Sequence, residues 1–297
     1  MDLKQLEAFL AIIEWGSFSE AAEKLYLTQP TVTGRIQALE RSLNTELIDR
    51  SAKRITLTAD GHRLQEYAKS MLRTKQRMLE EFSGRHSMPI RFGASSVPAA
   101  CIVPELMSSY LSKEPSARFI VTQCDSQKII SQLQTGELDM GICGMRLNDD
   151  HFICETIYRD KMVLAAPYKS EYAELFNSGG IKQLIKEPYI LRESGSGTRK
   201  ETAAFLETIG TDESELNISV HADSLDMVRR CVVLGMGVSI LSKKTVEDLE
   251  ELKKIYTFDL SEDGVDRSYY LIRRKNGIKN TALRDFADFT CNFYNNV

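Results

Sequence analysis

Paired cysteines, clustered histidines and long apolar runs are all missing from this sequence. Its six cysteines (Cys101, Cys124, Cys143, Cys154, Cys231 and Cys291) stand singly, with no Cys-x-x-Cys pair and no Cys/His cluster. That spacing suggests neither a zinc site nor a disulfide framework, and the thiols read as buried and reduced. The four histidines, His62, His86, His151 and His221, fall outside any triad-like or metal-like spacing, so no catalytic residue, metal ligand or cofactor is assigned. No apolar run approaches the roughly 20 residues that span a bilayer. The chain opens on an amphipathic pattern (Leu3, Leu6, Phe9, Leu10, Ile13) in place of a charged-then-apolar leader, and a cytoplasmic protein is expected.

A strong excess of charge is also absent, with 38 Lys/Arg against 42 Asp/Glu and a formal charge of -4. Residues 1–86 hold 13 basic and 12 acidic side chains, and the remainder 25 and 30. Contact with a polyanion must therefore rest on where a few cations stand, and gains from repetition in a homodimer or homotetramer. At 297 residues, 42% of them hydrophobic, the chain is long enough for more than one packed domain.

What is present begins with two helix starts in close succession. Ser17-x-x-Glu20 has the form of a capping box, and Phe18, Ala21, Ala22 and Leu25 follow at helical spacing. After Tyr26 and Leu27 a second start follows: Thr28 or Gln29 can cap, and Pro30 suits a first turn, where its missing N–H is harmless. Val32, Ile36, Leu39 and Leu43 form the inward stripe. The outward face then carries Pro30, Gly34, Gln37, Ala38 and Arg41, flanked by Thr31, Thr33 and Arg35, the small and hydrogen-bonding groups that a major groove accepts. The pattern is a helix-turn-helix, with an ordinary helical hairpin as the alternative. Two short strands follow, 47–50 and 54–58, turning at Ser51-Ala52-Lys53. Arg50, Lys53 and Arg54 at the tip form a basic wing for phosphate or the minor groove, or else a solvated loop.

From Thr58 to about Phe82 runs one helical pattern with an apolar stripe of Leu64, Ala68, Met71, Met78 and Phe82. The stripe calls for a partner, in a second subunit or in its own chain. Residues 83–89 (Ser-Gly-Arg-His-Ser-Met-Pro) break the pattern as a hinge. Beyond Pro89 strands and helices alternate: strands at 90–94, 118–124 and 139–143, helices at 99–112 and 126–135, then a second alternation from Lys161 to Leu241. This order implies an α/β fold with a mainly parallel sheet in two halves. The chain crosses between halves near Arg159 to Lys161 and returns near Asp266.

Ligand contacts are expected where strands end and helices begin. Ser194, Gly195, Ser196, Gly197 and Thr198 join a strand to a helix, so bare N–H groups and hydroxyls converge at a positive dipole end. Ser95, Ser96 and Val97 end the first strand in the same way, and Gln123, Asp125 and Ser126 lie at the end of a neighbouring one. Open α/β sheets bind ligands at these carboxyl ends, and a small carboxylate, sulfate or phosphate suits the donors. Three capped helix starts with no ligand are the alternative. An enzyme using Gly195-Ser196-Gly197-Thr198 for an anionic substrate is a rival, but the loop lacks the Gly-Lys-Ser/Thr ending of a P-loop. A second rival is an effector-independent DNA binder.

Several of these motifs together resemble the LysR-type transcriptional regulators: Leu3-x-x-Leu6-x-x-Phe9, Gly16-Ser17-Phe18-Ser19-x-Ala21-Ala22-x-x-Leu25, Thr28-Gln29-Pro30-x-Val32-Thr33, Ile36-x-x-Leu39-Glu40 and Leu57-Thr58-x-x-Gly61. Leu138-Asp139-x-Gly141-Ile142 and Gly235-x-Gly237-Val238-x-Ile240-Leu241 extend the likeness more loosely. Ile48 stands where the family has Phe before its wing, and Thr33 where Ser is commoner. The resemblance implies a winged helix-turn-helix domain over 1–58, a linker and dimerisation helix with hinge over 59–88, and a two-subdomain effector-binding domain over 89–297 that resembles periplasmic binding proteins. Its first subdomain would comprise 89–160 and 267–297, and its second 161–266. The implied partners are double-stranded promoter DNA, a small effector and further copies of the chain, with no membrane. The Gly-Ser-Gly-Thr-Arg loop is similar to that of regulators of sulfur, selenium and carbon-fixation genes.

Overall fold

A computed structural model describes residues 1–49, 55–82, 89–261, 265–275 and 281–294. The expected wing residues Arg50, Lys53 and Arg54 and the hinge residues 83–88 lie outside the described residues. The chain forms two compact units, residues 1–88 with Gln134–Glu137, and residues 89–133 with 138–297.

In the first unit α1 (Leu3–Trp15) starts at a capping box that the sequence reading did not single out. The Asp2 carboxylate accepts the Gln5 N–H at 2.8 Å, and the Gln5 side chain accepts the Asp2 N–H at 2.9 Å. At α2 (Phe18–Lys24) only the hydroxyl half of the expected box forms: Ser17 Oγ accepts from Ser19 and Glu20 N–H at 3.2 and 3.4 Å. The turn passes through Tyr26 at φ 55°. Thr28 Oγ1 then caps α3 (Gln29–Leu43) by accepting the Thr31 N–H, with Pro30 in the first turn. Leu6, Phe9, Ile12, Ala21, Ala22, Val32, Ile36 and Leu39 pack into one core. Leu43 does not join them as expected. It closes the helix, Asn44 turns left-handed behind it, and its side chain is exposed.

Strands β1 (Ile48–Asp49) and β2 (Thr56–Leu57) pair antiparallel and lead into α4 (Ala59–Phe82). The start of α4 gives Leu57-Thr58-x-x-Gly61 its physical reason. Thr58 Oγ1 accepts the Gly61 N–H at 3.0 Å and donates to the Glu46 carbonyl at 2.7 Å. A Cβ on Gly61 would lie 2.1 Å from the Leu47 carbonyl oxygen. At 1.5 Å per residue α4 is about 36 Å long. Its stripe divides: Leu64 and Ala68 are buried in the core, whereas Met71, Met78, Leu79 and Phe82 are exposed.

The second unit starts with β3 (Ile90–Ala94), α5 (Val103–Lys113), β4 (Phe119–Gln123), α6 (Ser126–Thr135) and β5 (Met140–Cys143). Strand β3 lies between β4 and β5, parallel to both. Ahead of α5, residues Pro98–Ile102 form a π-helical turn closed by Val103 N–H on the Pro98 carbonyl. Pro98 and Pro104 have no N–H to give, which favours this wider start.

The long strand β6 (Phe152–Pro167) is followed by α7 (Ser170–Leu184), interrupted at Gly180, then β7 (Tyr189–Arg192), α8 (Gly197–Thr208) and β8 (Ile218–Ala222). Next come α9 (Leu225–Val233), β9 (Ser239–Ser242), α10 (Glu247–Glu251), β10 (Ile255–Asp259), β11 (Asp266–Arg274) and α11 (Thr281–Phe293). The expectation of a mainly parallel sheet is corrected here. β6 is one continuous strand from Phe152, antiparallel to β11 along its first part and to β9 and β10 along its second. Because β6 and β11 run in opposite directions, the sheet is mixed. β7 and β8 are parallel, and a bridge from Tyr189 to Val238 joins them to the start of β9. Helix α7, β10 and the first half of β6 were absent from the sequence reading.

Gly61→Ala should destabilise the first unit by about 2 kcal/mol, the usual scale of overpacking, seen as a lower midpoint in chemical denaturation. An unchanged midpoint would show that α4 does not pack on Leu47.

Candidate functional site

Two groups of side chains call for a function. The first is the outer face of α3. With Val32, Ile36 and Leu39 turned fully inward, Thr28, Gln29, Pro30, Thr31, Gly34, Gln37 and Arg41 are exposed, and Thr33 and Arg35 are half-buried. The Thr28 and Thr31 hydroxyls are 2.8 Å apart, and Arg41 Nε donates to the Gln37 carbonyl at 3.2 Å. Arg35 leans away from the face, its Nη1 donating to the Lys4 carbonyl at 3.4 Å. A Cβ on Gly34 would meet nothing within 4 Å, so internal packing gives no reason for this glycine. An exposed, uncharged stretch of hydroxyls and two amides, with one arginine at its end, has the chemistry of a base-edge reader.

The second group lies in the α/β unit. A cavity of about 310 Å³ is lined by Ser95, Ser96, Val97, Gln123, Cys124, Asp125, Ser126, Glu193, Gly195, Ser196, Gly197, Thr198, Asp223 and Arg267. An adjoining one of about 530 Å³ shares Asp125, Ser126, Gly195, Gly197 and Arg267 and adds Ser194, Gly144, Met145, Arg146, Lys200 and Glu201 among others. The three strand ends named from the sequence therefore face common cavities. Two of their residues have other commitments. The Val97 side chain is buried in the hydrophobic core. Asp125 Oδ1 accepts the Lys128 N–H at 2.8 Å at the start of α6. Ser196 occupies the N-cap position of α8, yet its hydroxyl makes no capping bond.

Arg267, which the sequence reading missed, joins these loops. It enters from β11, opposite Asp160 of β6, and is only 6% exposed. Its Nη1 donates to Thr198 Oγ1 at 3.1 Å, and its guanidinium lies over the Tyr269 ring at 5.0 Å. A Cβ on Gly197 would come within 2.2 Å of Nη2, and one on Gly144 within 2.8 Å. Both glycines thus leave a slot for the guanidinium. Arg267 Nε is buried with no hydrogen-bond partner, as is Ser95 Oγ across the same cavity.

Asp160 does not neutralise the arginine by an ion pair. Its carboxylate accepts from the Ser242 hydroxyl and from the Lys244 N–H. Burial pushes its pKa upward against those bonds. Among the described residues Arg267 has no carboxylate within ion-pair distance. A buried cation with no carboxylate in direct ion-pair contact, beside the open N-terminus of α8, is an anion-binding arrangement, and its field also acts on the buried Asp160 carboxyl, holding it down against the effect of burial. One sequence signal marked it: Arg267 stands in phase with Tyr269 and Leu271, both fully buried, on the inner face of an alternating strand.

Among the described residues no cluster of His, Cys, Asp or Glu could hold a metal, and no helix is long and apolar enough to cross a membrane. None of the six cysteines forms a disulfide. Cys143 and Cys231 are buried, while the other four are half-buried, which corrects the expectation that all lie inside. Burial pushes the Cys101 thiol up to about 11 and that of Cys291 up to about 12, so both are weak nucleophiles at neutral pH.

Arg267→Met, replacing a buried charge that has no direct ion pair by an apolar chain of similar length, should raise the stability of the ligand-free protein, by about 1–2 kcal/mol. Urea denaturation reads this directly, and a fall in stability would show that the cation is already compensated.

Comparison with known proteins bears on both groups. Residues 3–62 match the family "Bacterial regulatory helix-turn-helix protein, lysR family", and residues 83–292 match "LysR substrate binding domain". An uncharacterized HTH-type transcriptional regulator of Methanocaldococcus jannaschii is 29% identical over 293 residues, 97% of each chain. A RuBisCO operon transcriptional regulator of Allochromatium vinosum is 24% identical over 292 residues, covering 97% of this chain and 95% of its own. The crystal structure of full-length CbnR complexed with its target DNA superposes with a TM-score of 0.73 at 21% identity, covering 98% and 99% of the two chains.

Proposed function

The chain belongs to the LysR family of transcriptional regulators, which bind DNA and carry a small-molecule-binding domain, and from that membership we propose that its effector carries an anionic group held at Arg267. One observation carries the reading: Arg267 and Ser95 line one cavity, and each keeps a buried polar atom, Nε and Oγ, without a hydrogen-bond partner. The α8 N-terminus and Thr198 add donors around them. Such donors strengthen one another where water is excluded.

The DNA-reading residues are those of the outer α3 face, Thr28 to Thr31, Thr33, Gly34, Gln37 and Arg41, with Arg35 as a phosphate contact. Arg50, Lys53 and Arg54 of the wing supply further phosphate contacts. The chain is read as 1–58 for DNA binding, 59–88 for the linker, and 89–297 for effector binding. The division of the last at 160/161 and 266/267 is supported by the pairing of Lys161 with Asp266 and of Asp160 with Arg267. The exposed Met71, Met78, Leu79 and Phe82 of α4 support association of copies along this helix. A non-enzymatic, cytoplasmic role is supported by relatives that are named as transcriptional regulators.

Ligand seated between Ser95 and Thr198 ties together loops from both α/β halves. It biases the protein toward the arrangement in which those loops are close. Repacking of the halves then alters how paired recognition helices meet successive half-sites.

Gel retardation on the DNA upstream of the chain's own gene tests the DNA face. Gln37→Ala should cost about 1–3 kcal/mol on the best site and far less on random sequence. Arg50→Ala with Arg54→Ala should weaken all sequences alike and lower the salt slope by about 2. Equal loss on every sequence for Gln37→Ala would reject the α3 assignment. For the cavity, thermal shift with small carboxylates, sulfate and phosphate should show stabilisation that disappears in Arg267→Ala. A shift that survives the substitution would move the site elsewhere.

A further inference from the structure

The charges lining the 310 Å³ cavity are mixed in sign. Arg267 is its one cationic side chain, against three carboxylates, Asp125, Glu193 and Asp223. Glu193 is already matched, because both its oxygens accept from buried Arg192, at 2.8 Å each. Asp125 has one oxygen engaged at the start of α6 and keeps the other. Asp223 is exposed and has no ion pair among the described residues. Apart from the Arg192–Glu193 pair, the cavity therefore presents one buried cation and two carboxylates.

A simple anion satisfies only half of this lining. It neutralises Arg267 but brings a negative charge next to Asp125 and Asp223. A simple cation does the reverse and leaves the guanidinium uncompensated, the costlier failure because that group is buried and the carboxylates reach water. Building on the reading of this cavity as the effector site, we propose that the effector is a zwitterion of the α-amino acid class. Its carboxylate meets Arg267 and its ammonium meets Asp223 and Asp125.

The hydrogen-bonding groups suit both ends. A carboxylate has two oxygens with about four acceptor sites. Arg267 Nε–H and the Ser95 hydroxyl, the two unpartnered buried groups, are donors to it, and the first turn of α8 adds N–H groups. An ammonium has three donors and no acceptor, which two carboxylates take up. Size agrees as well. At about 30 Å³ per water, 310 Å³ is roughly ten water volumes, enough for a small amino acid and far more than one inorganic oxyanion fills. The adjoining cavity, which shares Arg267 and Asp125, leaves room for a side chain.

Isothermal calorimetry on the full-length protein with the individual L-amino acids tests this against their des-amino acids, glutarate, sulfate and phosphate. At least one amino acid should bind, about tenfold or more tighter than its des-amino counterpart, the scale of a hydrogen bond between charged groups. Asp223→Asn should remove most of that preference, and Arg267→Ala should abolish binding of both. If Arg267→Ala lowers solubility, Arg267→Lys, which keeps the charge, should retain weakened binding with the same ranking. A des-amino acid, glutarate, sulfate or phosphate that binds through Arg267 as tightly as the best amino acid would overturn the zwitterion and leave the effector site standing. If no compound binds, or if binding survives Arg267→Ala, both readings fail.

Discussion

The constraint on which the α/β unit depends is a guanidinium held out of water without a direct ion pair. Arg267 is almost wholly buried, and its cross-strand neighbour Asp160 directs its carboxylate to Ser242 and to a backbone N–H. A lone charge in a low-dielectric interior is expensive, and here the surroundings are shaped to keep it. Gly144 and Gly197 have no side chains to displace it, Tyr269 offers a ring face, and Thr198 accepts one N–H. A fold that selected only for stability would place an apolar residue at this point of β11. Retaining the cation makes sense where an anionic group arrives from outside to complete it.

The position of that cation follows from the strand topology. β6 continues from one α/β half into the other and β11 begins where the chain returns, and the two pair residue against residue through Asp160–Arg267 and Lys161–Asp266. The aromatic and aliphatic core on either side, with Phe92, Phe286, Tyr189 and Tyr269 among its largest members, fixes both strands. Arg267 therefore stands where both halves are covalently continuous, while its guanidinium touches Gly144 after β5 and Gly197 at the start of α8. A charge placed there is sensitive to small changes in how the halves meet. Ligand binding at the same point can bias that packing without any long-range relay.

Legibility from sequence followed the range of the interactions involved. The helix-turn-helix was readable because its determinants are local: Ser17 and Thr28 cap helices within three residues, and Val32, Ile36 and Leu39 repeat at helical spacing. Leu43 had the same spacing and failed, since its burial depends on where α3 ends against α1. The loop residues of the cavity were readable because each is a strand end leading into a helix, which is again a local pattern. Arg267 was not, because Gly144, Gly197 and Thr198 stand tens of residues away in the chain. The continuity of β6 was hidden for a related reason. Its first part carries polar residues such as the half-buried Glu155 and the exposed Arg159, and its strand character comes from pairing with β11 rather than from alternation.

The same distinction separates the two binding functions. In the proposed reading, DNA recognition rests on a surface that needs no tertiary rearrangement to exist: an exposed helix face fixed by a small apolar core, in a unit that is close to electroneutral. With so little net attraction, affinity must come from well-placed contacts and from their multiplication across copies, which is where the exposed apolar residues of α4 enter the proposal. In the proposed reading, effector recognition rests instead on a buried charge that a bound anionic group would complete. The first unit offers a fixed reading head, and the second has a reason to change state. That division of labour lets a single chain couple a metabolite to a promoter without either site compromising the chemistry of the other.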